Sequence, residues 1–149
     1  MMIALPLSPA NIRMDPPVAD AVDALQVLAE MLAESSGLSA QGIAAALQNR
    51  EAQGSTGIGH GVALPHARLE GLDRVVIAAL RTARGIPFAA PDGVDVRIFI
   101  AVAVPRAAAT AHLEMLSTLA ARLTVDGVRE ALLKTPEVTE FFRVLTGSA

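Results

Sequence analysis

The sequence predicts an α/β fold: a single domain over residues 1–149, with a mixed β-sheet flanked by helices in the order strand, two helices, several strands, three helices. Three observations carry this expectation. Apolar residues recur at helical spacing over residues 18–33 and 108–123. Residues 75–80 and 94–104 form apolar, β-branched runs bounded by turn residues. A length of 149 residues suits one domain, and 52% hydrophobic against 18% charged residues excludes a disordered chain. With four Phe and no Trp or Tyr, the core must be built from Ala, Val, Leu and Ile.

Residues 3–13 carry two prolines and read as a short edge strand or extended arm, with residues 1–8 as a flexible arm. Asp15 before Pro16 and Pro17 reads as a helix start, because proline suits the first helical turn. Val18, Val22, Leu25, Leu28 and Leu32 then mark one apolar helix face, which Gly37 ends. Ser39 is an N-cap for a second helix that runs to about Gln53, with Arg50 and Glu51 near its end. The segment GSTGIGHG, residues 54–61, holds four glycines in eight positions and reads as irregular backbone. Val62 to His66 reads as a short strand ending in Pro and His. Val75 to Leu80 is a strand, Gly85 to Pro91 a turn, and Val94 to Val104 the central strand, apolar on both faces in its second half. The helix over 108–123 carries Leu113, Leu116, Leu119 and Leu123 as a core stripe, not a partner groove. Two short helices follow, near 126–134 and 136–145, with Asp126 and Thr135 as caps and Pro136 at the first helical position.

Composition removes several functions. The net charge is −3, and the twelve basic residues, eleven Arg and Lys134, form no run. Nucleic-acid binding is therefore not expected, since it needs a basic patch. The absence of Cys excludes disulfides, thiolate metal sites and a Cys nucleophile. The most apolar run, Ile98 to Pro105, is far short of a membrane span, and Met1 to Leu7 has no charged n-region of a signal peptide. A soluble cytoplasmic protein without cofactor, metal or membrane insertion is the expectation.

The histidines are His60, His66 and His112. His66 stands out because it follows Pro65 at a strand end, beside the Gly-rich loop with Ser55 and Thr56. Strand ends and adjoining loops are where α/β proteins bind ligands. The loop matches neither GxxxxGK[ST] nor GxGxxG, and fits a tight turn or an anion cradle. Arg50 is either a solvated helix end or a guanidinium able to hold two phosphoryl oxygens. A zinc hydrolase using His60, His66 and His112 is a remote alternative, because no HExxH spacing is present.

From Glu51 the sequence runs through six residues to Ile58 and Gly59, then two residues, then Val62-Ala63-Leu64-Pro65-His66 and a small residue. This resembles the active-site signature of enzyme IIA proteins of the mannitol/fructose type, from the bacterial phosphoenolpyruvate-dependent sugar phosphotransferase system. The later block HLEMLSTLAARL, residues 112–123, is similar to that family's second His-containing helix. The GSTGIG…PH phrasing looks most like the nitrogen-regulatory enzyme IIA. The resemblance implies a phosphoryl acceptor at His66, with His112 and Arg50 beside it. Ser55, Thr56, Gly57 and Gly59 would form the phosphate-binding loop, Glu51 would be structural, and His60 falls at a variable position. The implied donor is a histidine phosphocarrier protein. The implied partners downstream are a IIB domain or regulatory targets such as a transporter or kinase.

Overall fold

A computed structural model describes residues 5–107 and 111–148, and only the backbone of residues 111–113. A one-turn 3₁₀ helix at Pro9–Asn11 leads into β1 (Ile12–Met14), followed by α1 (Ala21–Ser36) and α2 (Ala40–Ala52). Five strands come next: β2 (Gly57–Gly59), β3 (Val62–Ala63), β4 (His66–Leu69), β5 (Val76–Ile86) and β6 (Val96–Pro105). The described chain closes with α3 (Ala111–Leu123), α4 (Asp126–Lys134) and α5 (Val138–Thr146).

The sheet is mixed, in the order β1-β5-β6-β3-β2, and β4 continues alongside β6 past the end of β3. Strand β5 is antiparallel to β6, whereas β1 runs parallel to β5, and β3 and β4 parallel to β6. Alternation along a strand sends successive side chains to opposite faces. Val76, Ala78 and Leu80 of β5, with Phe99, Ala101 and Ala103 of β6, therefore pack under α1 and α2. Ile77 and Ala79, with Ile98, Ile100 and Val102, pack under α3, α4 and α5. A strand buried on both faces reads as a continuous apolar run, as β6 does. The result is the expected α/β fold in three layers.

Several boundaries differ from expectation for local reasons. Helix α1 starts at Ala21, where the Asp20 carboxylate accepts from Asp23 N, and not at Asp15. Asp15 instead takes a left-handed φ of 60° and binds Arg81. Strand β5 continues through the polar stretch to Ile86, where a turn is expected, because Arg81 finds internal partners and Ile86 pairs with Val96 after a register shift. Asp126 is the first residue of α4 and pairs with Arg129, so the N-cap position falls to Val125. Thr135 closes α4, and α5 begins two residues beyond Pro136. Residues 1–4 of the expected arm and 108–110 of the expected helix lie outside the described residues. Within that arm Leu7 is buried in the core under α3–α5. Among the described residues no helix is long and apolar enough to cross a membrane.

Candidate functional site

The Gly-rich segment is more regular than its composition suggests. Strand β2 pairs antiparallel with β3, with a bulge, around a turn at His60 and Gly61. These two residues have φ of 59° and 77°. Positive φ at both central positions is what a two-residue hairpin matching strand twist requires. The Asp92 carboxylate clamps the turn by accepting from His60 N at 2.8 Å and from Val94 N at 3.1 Å. Those backbone donors hold its carboxyl below the usual carboxylate value.

His66 opens β4, whereas the sequence places it at a strand end. Pro65 has no N–H to donate and interrupts the ladder. Its carbonyl still accepts from Val102 N at 2.9 Å, so the chain stays on β6 and the ladder resumes. Ala67 and Leu69 face the α1/α2 core. Alternation therefore turns His66 and Arg68 to the opposite face, where α3 packs. The His66 ring is half-buried, and its Nδ1 lies 2.9 Å from the Leu64 carbonyl oxygen. A carbonyl only accepts, so Nδ1 carries the proton and Nε2 holds the lone pair.

His66 lines a pocket of about 320 Å³ together with Arg50, Ser55, Thr56 and Gly57. Leu116, Ser117 and Ala120 of α3 line the same pocket, and Ile58 and Leu64 add to its apolar lining. Arg50 stands in the last turn of α2, where a cation complements the helix dipole. Its Nη1 donates to Gly54 O at 2.9 Å, which draws the guanidinium over the start of the loop. The loop is held from within. The Glu51 carboxylate accepts from both Thr56 N and Thr56 Oγ1, each at 2.7 Å. The Ser55 hydroxyl donates to Phe88 O at 2.8 Å and accepts from Gly57 N at 3.0 Å. Gly57 is required for this approach, since a Cβ there would sit 2.9 Å from the Ala90 Cβ.

The structure thus gathers His66, Arg50, Ser55, Thr56 and Gly57 around one pocket. It does not bring Gly59 there: a Cβ on that residue would meet the Asp92 carboxylate instead. His60 also lies outside the pocket, on an exposed turn. The backbone of His112 is in the first turn of α3, and its side chain lies outside the described residues. No three side chains among the described residues converge as metal ligands. The expected leucine stripe divides. Leu119 and Leu123 are core, Leu116 is partly buried against that core and also lines the pocket, and the Leu113 side chain lies outside the described residues. Sequence reasoning missed Leu116 and Ser117 as pocket residues. The available signal was spacing: Leu116 is four residues after His112, one turn along the same helix face.

A family model described as "Phosphoenolpyruvate-dependent sugar phosphotransferase system, EIIA 2" matches residues 6–148. A nitrogen regulatory protein of Pseudomonas aeruginosa is 36% identical over 122 residues, covering 81% of this chain and 79% of that protein. A fructose-specific EIIA component from Haloferax volcanii is 37% identical over 89 residues, 60% of this chain and 58% of that protein. The crystal structure of the nitrogen regulatory protein IIA-Ntr from Neisseria meningitidis matches with a TM-score of 0.91 at 34% identity, covering 95% of this chain and 97% of that one. Matched in sequence from residue 6 to residue 148 and in fold over nearly the same span, this chain belongs to the EIIA type 2 family of phosphotransferase-system components.

Proposed function

We propose that this chain is a phosphoryl carrier that accepts a phosphoryl group on Nε2 of His66 from a histidine phosphocarrier protein. The observation that carries the reading is the Nδ1 contact to the Leu64 carbonyl, which leaves Nε2 as the nucleophilic nitrogen of a ring lining an open pocket. The lone pair on Nε2 attacks phosphorus. The N–P bond on the donor's imidazole breaks as the new one forms, and its electron pair returns to the donor ring. The positive charge that develops on the His66 ring is stabilised through the Nδ1 proton by the Leu64 oxygen. No proton need enter or leave the pocket.

Phosphoryl transfer is catalysed mainly by positioning and by charge stabilisation at the equatorial oxygens. Arg50 supplies that charge, since among the described residues only one of its five N–H donors is committed, to Gly54 O. Ser55, Thr56 and Gly57 shape the wall against which the group sits, and Glu51 keeps that wall in place. His112, whose backbone lies one turn before Leu116, is a second donor to the phosphoryl group. Arg50→Ala is expected to slow phosphoryl acceptance by about 10²–10³-fold, the loss typical for removing one preorganised donor. Arg50→Lys is expected to recover only part of it, because an ammonium lacks the two-pronged fork. Rapid-quench labelling from the phosphorylated carrier measures both.

The signalling version of this reading has the charged form select partners, reporting nitrogen or carbon status to a transporter or kinase. About two negative charges would appear beside the apolar lining formed by Ile58, Leu64 and Leu116. The likeness to nitrogen regulatory proteins supports it. Handing the group to a IIB partner in sugar transport is the second reading, favoured by the likeness to a fructose-specific EIIA component. The deciding experiment incubates the chain with phosphoenolpyruvate, enzyme I and the phosphocarrier, then maps the modified residue by mass spectrometry under base-stable conditions. An acid-labile phosphoryl group on His66 is expected. An unmodified chain, or modification elsewhere, would overturn the proposal.

A further inference from the structure

We propose that Ser117 is a further catalytic residue, whose hydroxyl donates a hydrogen bond to a terminal oxygen of the phosphoryl group on His66. This rests on the phosphoryl-carrier reading of the same pocket.

A phosphoryl group presents three oxygens that need partners. Of the pocket's hydroxyls, Ser55 has given its proton to Phe88 O and Thr56 has given its proton to Glu51. The backbone N–H groups of Thr56 and Gly57 are also taken, by Glu51 and by Ser55 Oγ. Ser117 lines the same pocket from α3 and is exposed, and no described side chain accepts from its Oγ. A helical hydroxyl commonly turns back along the helix, as Thr118 does to Glu114 O at 2.9 Å, but an ionised phosphoryl oxygen is the stronger acceptor.

Leu116 and Ala120 flank Ser117 in the pocket wall, which Ile58 and Leu64 also line. A hydrogen bond to an ionised acceptor is about twice as strong as one between neutral groups. The chemistry also suits a relay. A neutral hydroxyl steadies the dianion without adding a second full charge, which would hold the group too tightly to pass it on.

The test compares the wild-type chain with Ser117→Ala and Ser117→Thr, using the phosphorylated histidine phosphocarrier as donor. The readouts are the equilibrium share of phosphoryl on this chain and the lifetime of the modified chain once the donor is removed. Ser117→Ala is expected to shift the equilibrium toward the donor about tenfold and to shorten the lifetime, the size of effect of one hydrogen bond to a charged group. Its melting temperature should not fall, since Ala is the better helix former at an exposed position. Ser117→Thr, which keeps the hydroxyl, is expected to restore both readouts to within about threefold of wild type. An Ala variant indistinguishable from wild type, or a loss that Thr does not restore, overturns the assignment. A wild-type chain that never labels on His66 overturns the carrier reading and this assignment together.

Discussion

Replacing His66 by Ala is expected to end phosphoryl acceptance completely while the fold survives. After incubation with the full donor system the wild-type chain should gain the mass of one phosphoryl group, and the variant none. The loss is expected because His66 is the one imidazole among the described side chains that line the pocket. His60 sits on an exposed turn outside the pocket, and the chain has no Cys. The pocket hydroxyls of Ser55 and Thr56 are engaged and, as neutral alcohols, are far weaker nucleophiles than an imidazole lone pair. Stability should change little. The ring is half-buried and, among the described residues, makes one hydrogen bond, to Leu64 O, whose net contribution is on the order of 1 kcal/mol. Denaturant unfolding of the variant checks that second half. A variant that still labels would show that the acceptor is not His66.

Arg81→Met is expected to lower stability by about 3 kcal/mol in denaturant unfolding, the low end for breaking a buried ion pair from one side. The Arg81 side chain is only 7% exposed, while Asp15 is 38% exposed and can rehydrate. Nε and Nη2 donate to the Asp15 carboxylate at 3.2 and 2.7 Å. Nη1 donates to Leu132 O at 3.1 Å and to Thr135 O at 2.5 Å, closing the C-terminal end of α4. One guanidinium thus joins the β1–α1 turn, the middle of β5 and the end of α4. Methionine would fill the volume but leave those carbonyls unpaired. The pair also sets an acid response. Hydrogen bonding to Arg81 holds the Asp15 carboxyl below its ordinary value of 3.8, against the opposing effect of burial. A depressed folded-state value means the stabilisation is complete above about pH 4 and fades as pH falls through the lower folded value. The stability gap between wild type and Asp15→Asn should therefore be constant at neutral pH and shrink only below about pH 4.

Legibility in the sequence followed the range of the forces involved. The end of α1 and the start of α2 are readable because capping is local: Gly37 adopts φ of 77°, and Ser39 bonds a backbone N–H three residues on. The start of α1 is not: Asp20 caps it, while Asp15, which the two prolines favour, is held by Arg81, 66 residues away. The far half of β5 was unreadable for the same reason. Its polar residues are acceptable in a strand only because the fold supplies distant partners. The hairpin β2–β3 was hidden by glycine content, which permits a loop and a turn alike.

For the site, the sequence alone singled out His66, through Pro65, the Gly-rich loop and the signature from Glu51, and it placed Arg50 beside that loop at the end of a helix. Those are short-range facts, fixed by covalent neighbours. Only the tertiary structure decided that Leu116 and Ser117 of α3 line one pocket with His66, and that the hydroxyls of Ser55 and Thr56 serve the loop. It also decided that Nδ1 meets a carbonyl oxygen. The shared pocket depends on layer packing between distant parts of the chain, the Ser55 bond on Phe88, 33 residues away, and the ring's orientation on strand alternation; no side-chain pattern encodes these.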